Sequence, residues 1–240
     1  MTTLGVITDV HTNLPALDAA LAALEDAGCD EIVHLGDTVG IGPHPRECLE
    51  RLQTLPNARF VMGNHDDWLA HGLPHPRPEW MTPGEYVHQQ WTHAQVPDDL
   101  REWVATWPWG IDIELGSGPR VHCCHYARPA SGEGFASVVW NPVPADLDRL
   151  FGEVSADVVF YGHHHPRSDL QGIRRYVNPG ALGCHTVPEA RYAIVTLRDG
   201  EQPAVIFGAA PYDWTPVFAA FESRSVPARD VIRRIFFGQP

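Results

Sequence analysis

At 240 residues, with 44% hydrophobic and 20% charged side chains, the chain is long enough to bury a sizeable core and has the composition of a soluble globular protein. A formal net charge of −13 excludes a broad basic surface for a nucleic-acid backbone, and no apolar run approaches the roughly 20 residues of a membrane span. The five cysteines show no CxxC spacing, and Cys123 adjoins Cys124, poor geometry for a disulfide. They read as thiols of a reducing cytoplasm, in keeping with a first segment, MTTLGVITDVHTN, that lacks the charged and cleavable parts of a secretory signal.

In chain order, LGVIT (4–8) predicts a short buried strand, followed by the polar turn DVHTN. A helix over 14–27 follows, with Asn13 as N-cap and Pro15 in its first turn; Leu14, Leu17, Leu21 and Leu24 recur at helical spacing and Gly28 ends it. A strand at 31–35, a helix at 45–55 and a strand at 59–62 complete an alternation that signifies an α/β layer architecture. The segment 68–110 is rich in proline and in tryptophan (Trp68, Trp80, Trp91, Trp103, Trp107 and Trp109). It predicts two amphipathic helices, Leu100, Trp103, Val104 and Trp107 sharing a face of the second, and reads as an insertion packed over the sheet, its tryptophans mainly in a core. Strands are predicted at 111–115, 120–125, 157–161, 173–177, 191–197 and 203–208, and helices at 144–154, 213–223 and 228–236. No linker, repeat or low-complexity tract interrupts the chain, so one domain over 1–240 is expected, built from two packed sheets with helices outside.

Polar residues concentrate where these strands stop. Asp9-x-His11 follows the first strand, Gly36-Asp37 the second and Gly63-Asn64-His65-Asp66 the third; His125 ends RVHCCH, and Gly162-His163-x-His165 follows DVVFY. In open α/β sheets the carboxyl ends of strands are where ligands bind. Each element alone is an ordinary turn. Five of them, each closing a predicted strand, point to one site.

This series resembles the calcineurin-like metallophosphoesterases, whose pattern runs Asp-x-His, Gly-Asp, Gly-Asn-His-Asp/Glu, a lone His and Gly-His-x-His. GDTVGIGPHPRECL, YVNPGALG and the PYD segment extend the likeness along most of the chain, closest to the compact bacterial branch. The resemblance implies a four-layer α-β-β-α sandwich of two mixed sheets flanked by helices, with a dinuclear metal site at the strand ends. It places one metal on Asp9, His11 and His165, a second on Asn64, His125 and His163, and Asp37 between them. Carboxylate, imidazole and amide oxygen without thiolate suit Mn²⁺, Fe, Zn²⁺ or Ni²⁺. Two such ions activate a bridging water as hydroxide and neutralise phosphoryl oxygens, supplying positive charge that the acidic chain lacks. By the same resemblance His65 is the group that protonates the leaving oxygen, with Asp66 orienting and charging its ring, and His164 is no ligand but a surface or substrate-rim imidazole.

Two positions depart from the pattern: Thr12 and Tyr126 stand where the family commonly has glycine. With Asn13 and with Arg128, the first cation after His125, they are the candidate substrate contacts, although Arg128 reads more readily as a solvated loop residue. His122 and His185 read as structural. The expected function is a phosphodiesterase or phosphomonoesterase acting on a small or nucleotide-like substrate, without long nucleic acid or membrane partners. A non-catalytic metal-binding scaffold and a protein phosphatase stay open beside it.

Overall fold

The computed structural model describes residues 1–114, 116 and 118–239. The first half runs β1 (Thr2–Ile7), α1 (Leu14–Asp26), β2 (Glu31–His34), α2 (Pro45–Gln53), β3 (Ala58–Phe60), α3 (Asn64–His71), α4 (Pro83–Gln95) and α5 (Asp98–Ala105). The second runs β4 (Gly110–Ile113), β5 (Val121–Cys124), α6 (Pro144–Leu150), β6 (Val158–Phe160), β7 (Ser168–Gln171), β8 (Arg175–Asn178), β9 (Glu189–Leu197), β10 (Ala204–Pro211), α7 (Thr215–Ser223) and α8 (Arg229–Phe237).

The strands form two five-stranded mixed sheets, β10-β9-β1-β2-β3 and β4-β5-β6-β8-β7. In the first, β1, β2 and β3 are parallel while β9 and β10 are antiparallel additions. In the second, β5, β6 and β8 are parallel, with β4 and β7 antiparallel at the edges. The two inner faces pack together through alternate strand residues: Leu4, Val6 and Val33 from one sheet meet Cys123, Val158 and Phe160 from the other, all buried. Helix α1 covers the outer face of the first sheet with Leu17, Leu21 and Leu24, and α6 covers the second with Leu147. Helices therefore flank both sheets, as the alternation of strand and helix patterns anticipates.

Asn13 caps α1 by accepting from Ala16 N at 3.2 Å, which supports the helix by about 1 kcal/mol. Three helices occupy the tryptophan-rich stretch, because the Gly-Asn-His-Asp motif itself opens α3. Trp107 stacks on Phe60 at 5.0 Å and meets Trp103 edge-on at 5.0 Å in a cluster with Leu69, Leu100 and Val104. Trp68 and Trp80, by contrast, face a cavity. Strand β7 has no counterpart among the predicted elements: its sequence, SDLQ, carries no apolar run, and it is held as an edge by pairing with β8 and by Arg175 on Asp169 at 2.7 and 2.9 Å. The strand expected at 111–115 ends at Ile113, and Leu115 lies outside the described residues.

Candidate active site

The parallel strands of both sheets stop on one side of the molecule, and each delivers its motif there. Asp9 and His11 lie just past β1, Asp37 past β2, Asn64 at the start of α3 after β3, His125 past β5, and His163 and His165 past β6. The loops are tied to one another by backbone bonds: Asp9 N to Gly36 O at 2.9 Å, His11 N to Asp37 O at 3.0 Å, and Gly162 N to His125 O at 2.8 Å.

Five of these residues have left-handed backbone: Asp9 (φ 53°), His11 (45°), Asp37 (58°), His163 (70°) and His165 (68°). Non-glycine residues rarely adopt that region, and each costs of the order of 1–3 kcal/mol, so the surrounding fold must hold them there. The triple histidine is accordingly a pair of left-handed bends, and not the continuing strand alternation that His-x-His spacing suggests. His164 between them is buried at 2% exposure, which corrects the expectation of a surface or rim imidazole. Its ring stacks on Tyr161 at 5.7 Å, and Asn178 Nδ2 donates to its Nδ1 at 3.0 Å.

The side chains converge in two groups. His11 Nε2 lies 3.1 Å from His165 Nε2 and 3.7 Å from Asp9 Oδ1, and His165 Nε2 is 3.6 Å from Asp9 Oδ1. In the second group His125 Nε2 lies 3.1 Å from His163 Nδ1 and 3.2 Å from Asn64 Oδ1. Asp37 stands between them, Oδ2 being 3.9 Å from His11 Nε2 and 3.3 Å from His125 Nε2. Close packing keeps it there: a Cβ on Gly63 would sit 2.2 Å from Asp37 Oδ1.

Hydrogen bonds behind the rings fix which nitrogen faces inward. His11 Nδ1 donates to Val39 O at 3.1 Å and His125 Nδ1 to Leu35 O at 2.8 Å, so both turn Nε2 toward their group. His165 Nδ1 is 3.4 Å from Cys184 Sγ, whose thiol burial pushes well above its ordinary range, so it stays protonated. Burial, reinforced by the charge on His125, pushes His163 down to about 3, and burial takes His165 to about 4. Burial also opposes charge on His125, but the Asp37 carboxylate outweighs it and raises that ring to about 9.

A neutral His125 would press its lone pair against those of Asn64 Oδ1 and Asp37 Oδ2, and the same crowding recurs around His11. Positive charge is required among these atoms. Donors held about 2.1 Å from one transition-metal ion lie roughly 3.0–3.4 Å apart, close to the spacing within each group, and both sets combine imidazole with oxygen. The residues present therefore fit divalent metal ions.

Asp66 does not reach His65. Its Oδ2 accepts from Asp37 N at 2.7 Å and Gly63 N at 3.1 Å, and its Oδ1 from Thr38 N at 3.0 Å and Val39 N at 3.3 Å. It fastens the loop carrying Asp37 to the start of α3, which corrects the expectation that it orients and charges the imidazole. The partner of His65 is Gln89 of α4, whose Nε2 donates to His65 Nδ1 at 2.7 Å and leaves the ring proton on Nε2. His65 Nε2 is 4.0 Å from Asp37 Oδ2. Trp68 packs on the ring edge-on at 4.9 Å, and Gly40 beneath it has φ 79° and no room for a side chain, a Cβ falling 2.3 Å from His65 Nδ1.

The four expected substrate contacts are engaged inside the protein. Thr12 and Asn13 are fully buried, Asn13 Nδ2 donating to Gly183 O at 2.7 Å and to Tyr212 Oη at 2.9 Å. Tyr126 packs its ring 4.8 Å from that of His163, and its hydroxyl accepts from Val139 N at 3.0 Å. Arg128 lies 3.8 Å over Trp109 and donates to Gly132 O and Gly134 O, bracing its own loop. His122 pairs with Asp112 at 2.7 Å and His185 with Arg191, both outside the two groups.

A cavity of about 610 Å³ opens over the site, with Asp37, Asn64, His163 and His165 in its floor and Trp68 and Trp140 in its walls. Asp67 and Glu85 line it and no arginine does; the chain contains no lysine. Among the described residues that line it, an anionic substrate finds no arginine or lysine.

The family model of the calcineurin-like phosphoesterase superfamily domain matches residues 2–200. An uncharacterized protein of Methanocaldococcus jannaschii is 30% identical over 215 residues, covering 82% of this chain and 83% of that one. Among solved structures, a metallophosphoesterase from Sphaerobacter thermophilus is similar at 27% identity and TM-score 0.69, covering 97% of each chain. A hypothetical protein from Pyrococcus horikoshii OT3 shares the fold at TM-score 0.80 with 20% identity over 99% of each chain.

Proposed function

The chain belongs to the calcineurin-like phosphoesterase superfamily, and from that premise we propose that it hydrolyses a small phosphomonoester or phosphodiester with two divalent metal ions. The observation that carries the reading is the crowding of acceptor atoms from both sheets around the Asp37 carboxylate. Asp9, His11 and His165 would hold one ion and Asn64, His125 and His163 the other, with Asp37 shared. Such ions neutralise phosphoryl oxygens and activate water, which a cavity lined by Asp67 and Glu85 could not do unaided.

The protein's own groups supply position and a hydrogen-bond donor. His65, held with its proton on Nε2 by Gln89, faces the same cavity. As the water oxygen bonds to phosphorus, the bond to the leaving oxygen breaks with its electron pair on that oxygen. The His65 Nε2–H hydrogen-bonds to that oxygen as charge develops on it, and the proton lost by the attacking water passes to it, leaving an alcohol and a ring that stays neutral throughout.

The test is a metal-reconstituted screen of phosphomonoesters, phosphodiesters, cyclic nucleotides and a phosphoprotein. Hydrolysis of a small ester supports the proposal. Stoichiometric metal without hydrolysis of any class would favour a non-catalytic scaffold.

A further inference from the structure

A second cavity, of about 490 Å³, adjoins the first and shares His65, Ile41, Glu85 and Phe236 with it. None of the seven metal-facing donors lines it. Its wall is apolar: Ile41 beneath, and Ala228, Val231, Ile232, Ile235 and Phe236 at and along α8. Val231 and Ile235 are 46% and 62% exposed, an apolar lip that the described protein leaves uncovered. Gln89, which fixes the His65 proton on Nε2, lines the same space.

Two polar features narrow what fits. His88 is 3% exposed and donates through Nδ1 to Pro227 O at 3.3 Å, while its Nε2 has no partner. Burial keeps that ring neutral, its pKa pushed down to about 4, so the orphaned nitrogen accepts a hydrogen bond and does not attract an anion. Among the described residues that line the cavity, Glu85 is the single carboxylate and none is an arginine.

Resting on the hydrolase reading, we infer that this cavity receives the leaving group of the phosphoester, and that this group is an alcohol with a mainly apolar carbon frame and no second phosphate. A phosphoryl group at the donor cluster has His65 beside it, and the ester oxygen that can accept from the His65 Nε2–H is the one whose substituent runs past that ring. Beyond the ring lies the apolar space. There a hydrocarbon chain loses its contact with water, at about a fourfold gain in binding per buried methylene, whereas a terminal phosphate would meet Glu85 and a neutral imidazole with no counter-charge.

The measurement is kcat/KM for release of ethanol, of hexan-1-ol and of 6-phosphohexan-1-ol, from the monoesters and from their methyl diesters, with metal-loaded protein. Hexyl should exceed ethyl by at least tenfold, and the terminal phosphate should abolish the gain. Ile235→Asp, at an exposed lip position the fold tolerates, should bring the hexyl-to-ethyl ratio below about threefold. Calorimetry should show the same loss for hexylphosphonate relative to ethylphosphonate. Equal efficiencies for hexyl and ethyl, preference for the bisphosphate, or an unchanged ratio in Ile235→Asp would overturn the inference alone. Hydrolysis of no ester in either series would overturn the hydrolase reading and this inference with it.

Discussion

Replacing Asp66 by Asn separates two roles that the sequence motif merges. In the structure the carboxylate accepts four backbone N–H groups, two on each oxygen, from Asp37, Gly63, Thr38 and Val39. An asparagine carbonyl can keep two of these bonds. Its NH₂ group then confronts the other two donors, leaving them buried and unmatched. Bonds to a charged acceptor contribute about 1.5–3 kcal/mol each, so two lost bonds destabilise the protein by about 3–6 kcal/mol. Burial, with the neighbouring Asp37 charge, pushes the Asp66 carboxyl up to about 7, so the comparison belongs at pH 8, where it is ionised. Urea unfolding of metal-free protein reads the loss directly, and the loosened loop should also weaken metal retention through Asp37. A stability change below about 1 kcal/mol, with turnover falling only for poor leaving groups, would refute this reasoning and return Asp66 to the side of His65.

Three further predictions follow from the buried partners. Gln89→Leu removes the donor at His65 Nδ1; it should keep both metals and lower kcat five- to tenfold for an alkyl ester but less than twofold for a nitrophenyl ester, an equal loss for both removing Gln89 from the proton step. His164→Ala empties a stacked, hydrogen-bonded site and should cost about 2–4 kcal/mol of stability with metal content unchanged; loss of one metal equivalent would contradict the placement of that ring. Burial, with the charge on His125, pushes His34 down to about 3, so the folded protein refuses a proton that the unfolded chain takes up below about 6.5. Stability is therefore complete above pH 6.5 and lost as pH falls toward 3, by about 2 kcal/mol at pH 5 from this residue, and denaturant titrations of wild type and His34→Asn should differ in that slope.

The motifs that end strands were legible because apolar runs mark the strands and a period-2 or helical pattern says where each one stops. Asp9, His11, Asp37, Asn64, His125, His163 and His165 all sit within a few residues of such a boundary, so topology alone brings them to one side. Gln89 was not legible. It lies 24 residues from His65 on another helix, and a glutamine in an amphipathic pattern looks like any polar residue. Asp66 adjoins His65 in sequence, and adjacency suggested a contact that the helical start of α3 does not make. Thr12 and Asn13 were misplaced for a related reason: the chain bends left-handed at His11 and Thr12 and turns the following side chains inward. His164 was expected outside because strand alternation was extended past the end of β6, where two left-handed residues replace it. Edge strand β7, held by pairing and by an Arg175–Asp169 ion pair, has no apolar signal to read.

In the proposed function two divalent metal ions share the Asp37 carboxylate. Elemental analysis of protein reconstituted with Mn²⁺ or Zn²⁺ and then dialysed tests it most directly, read beside Asp37→Ala. About two equivalents per chain are expected in the wild-type protein and fewer than one in the variant, because the shared ligand serves both groups. Wild-type protein that retains no stoichiometric metal, or an Asp37→Ala variant that retains both equivalents, would contradict it.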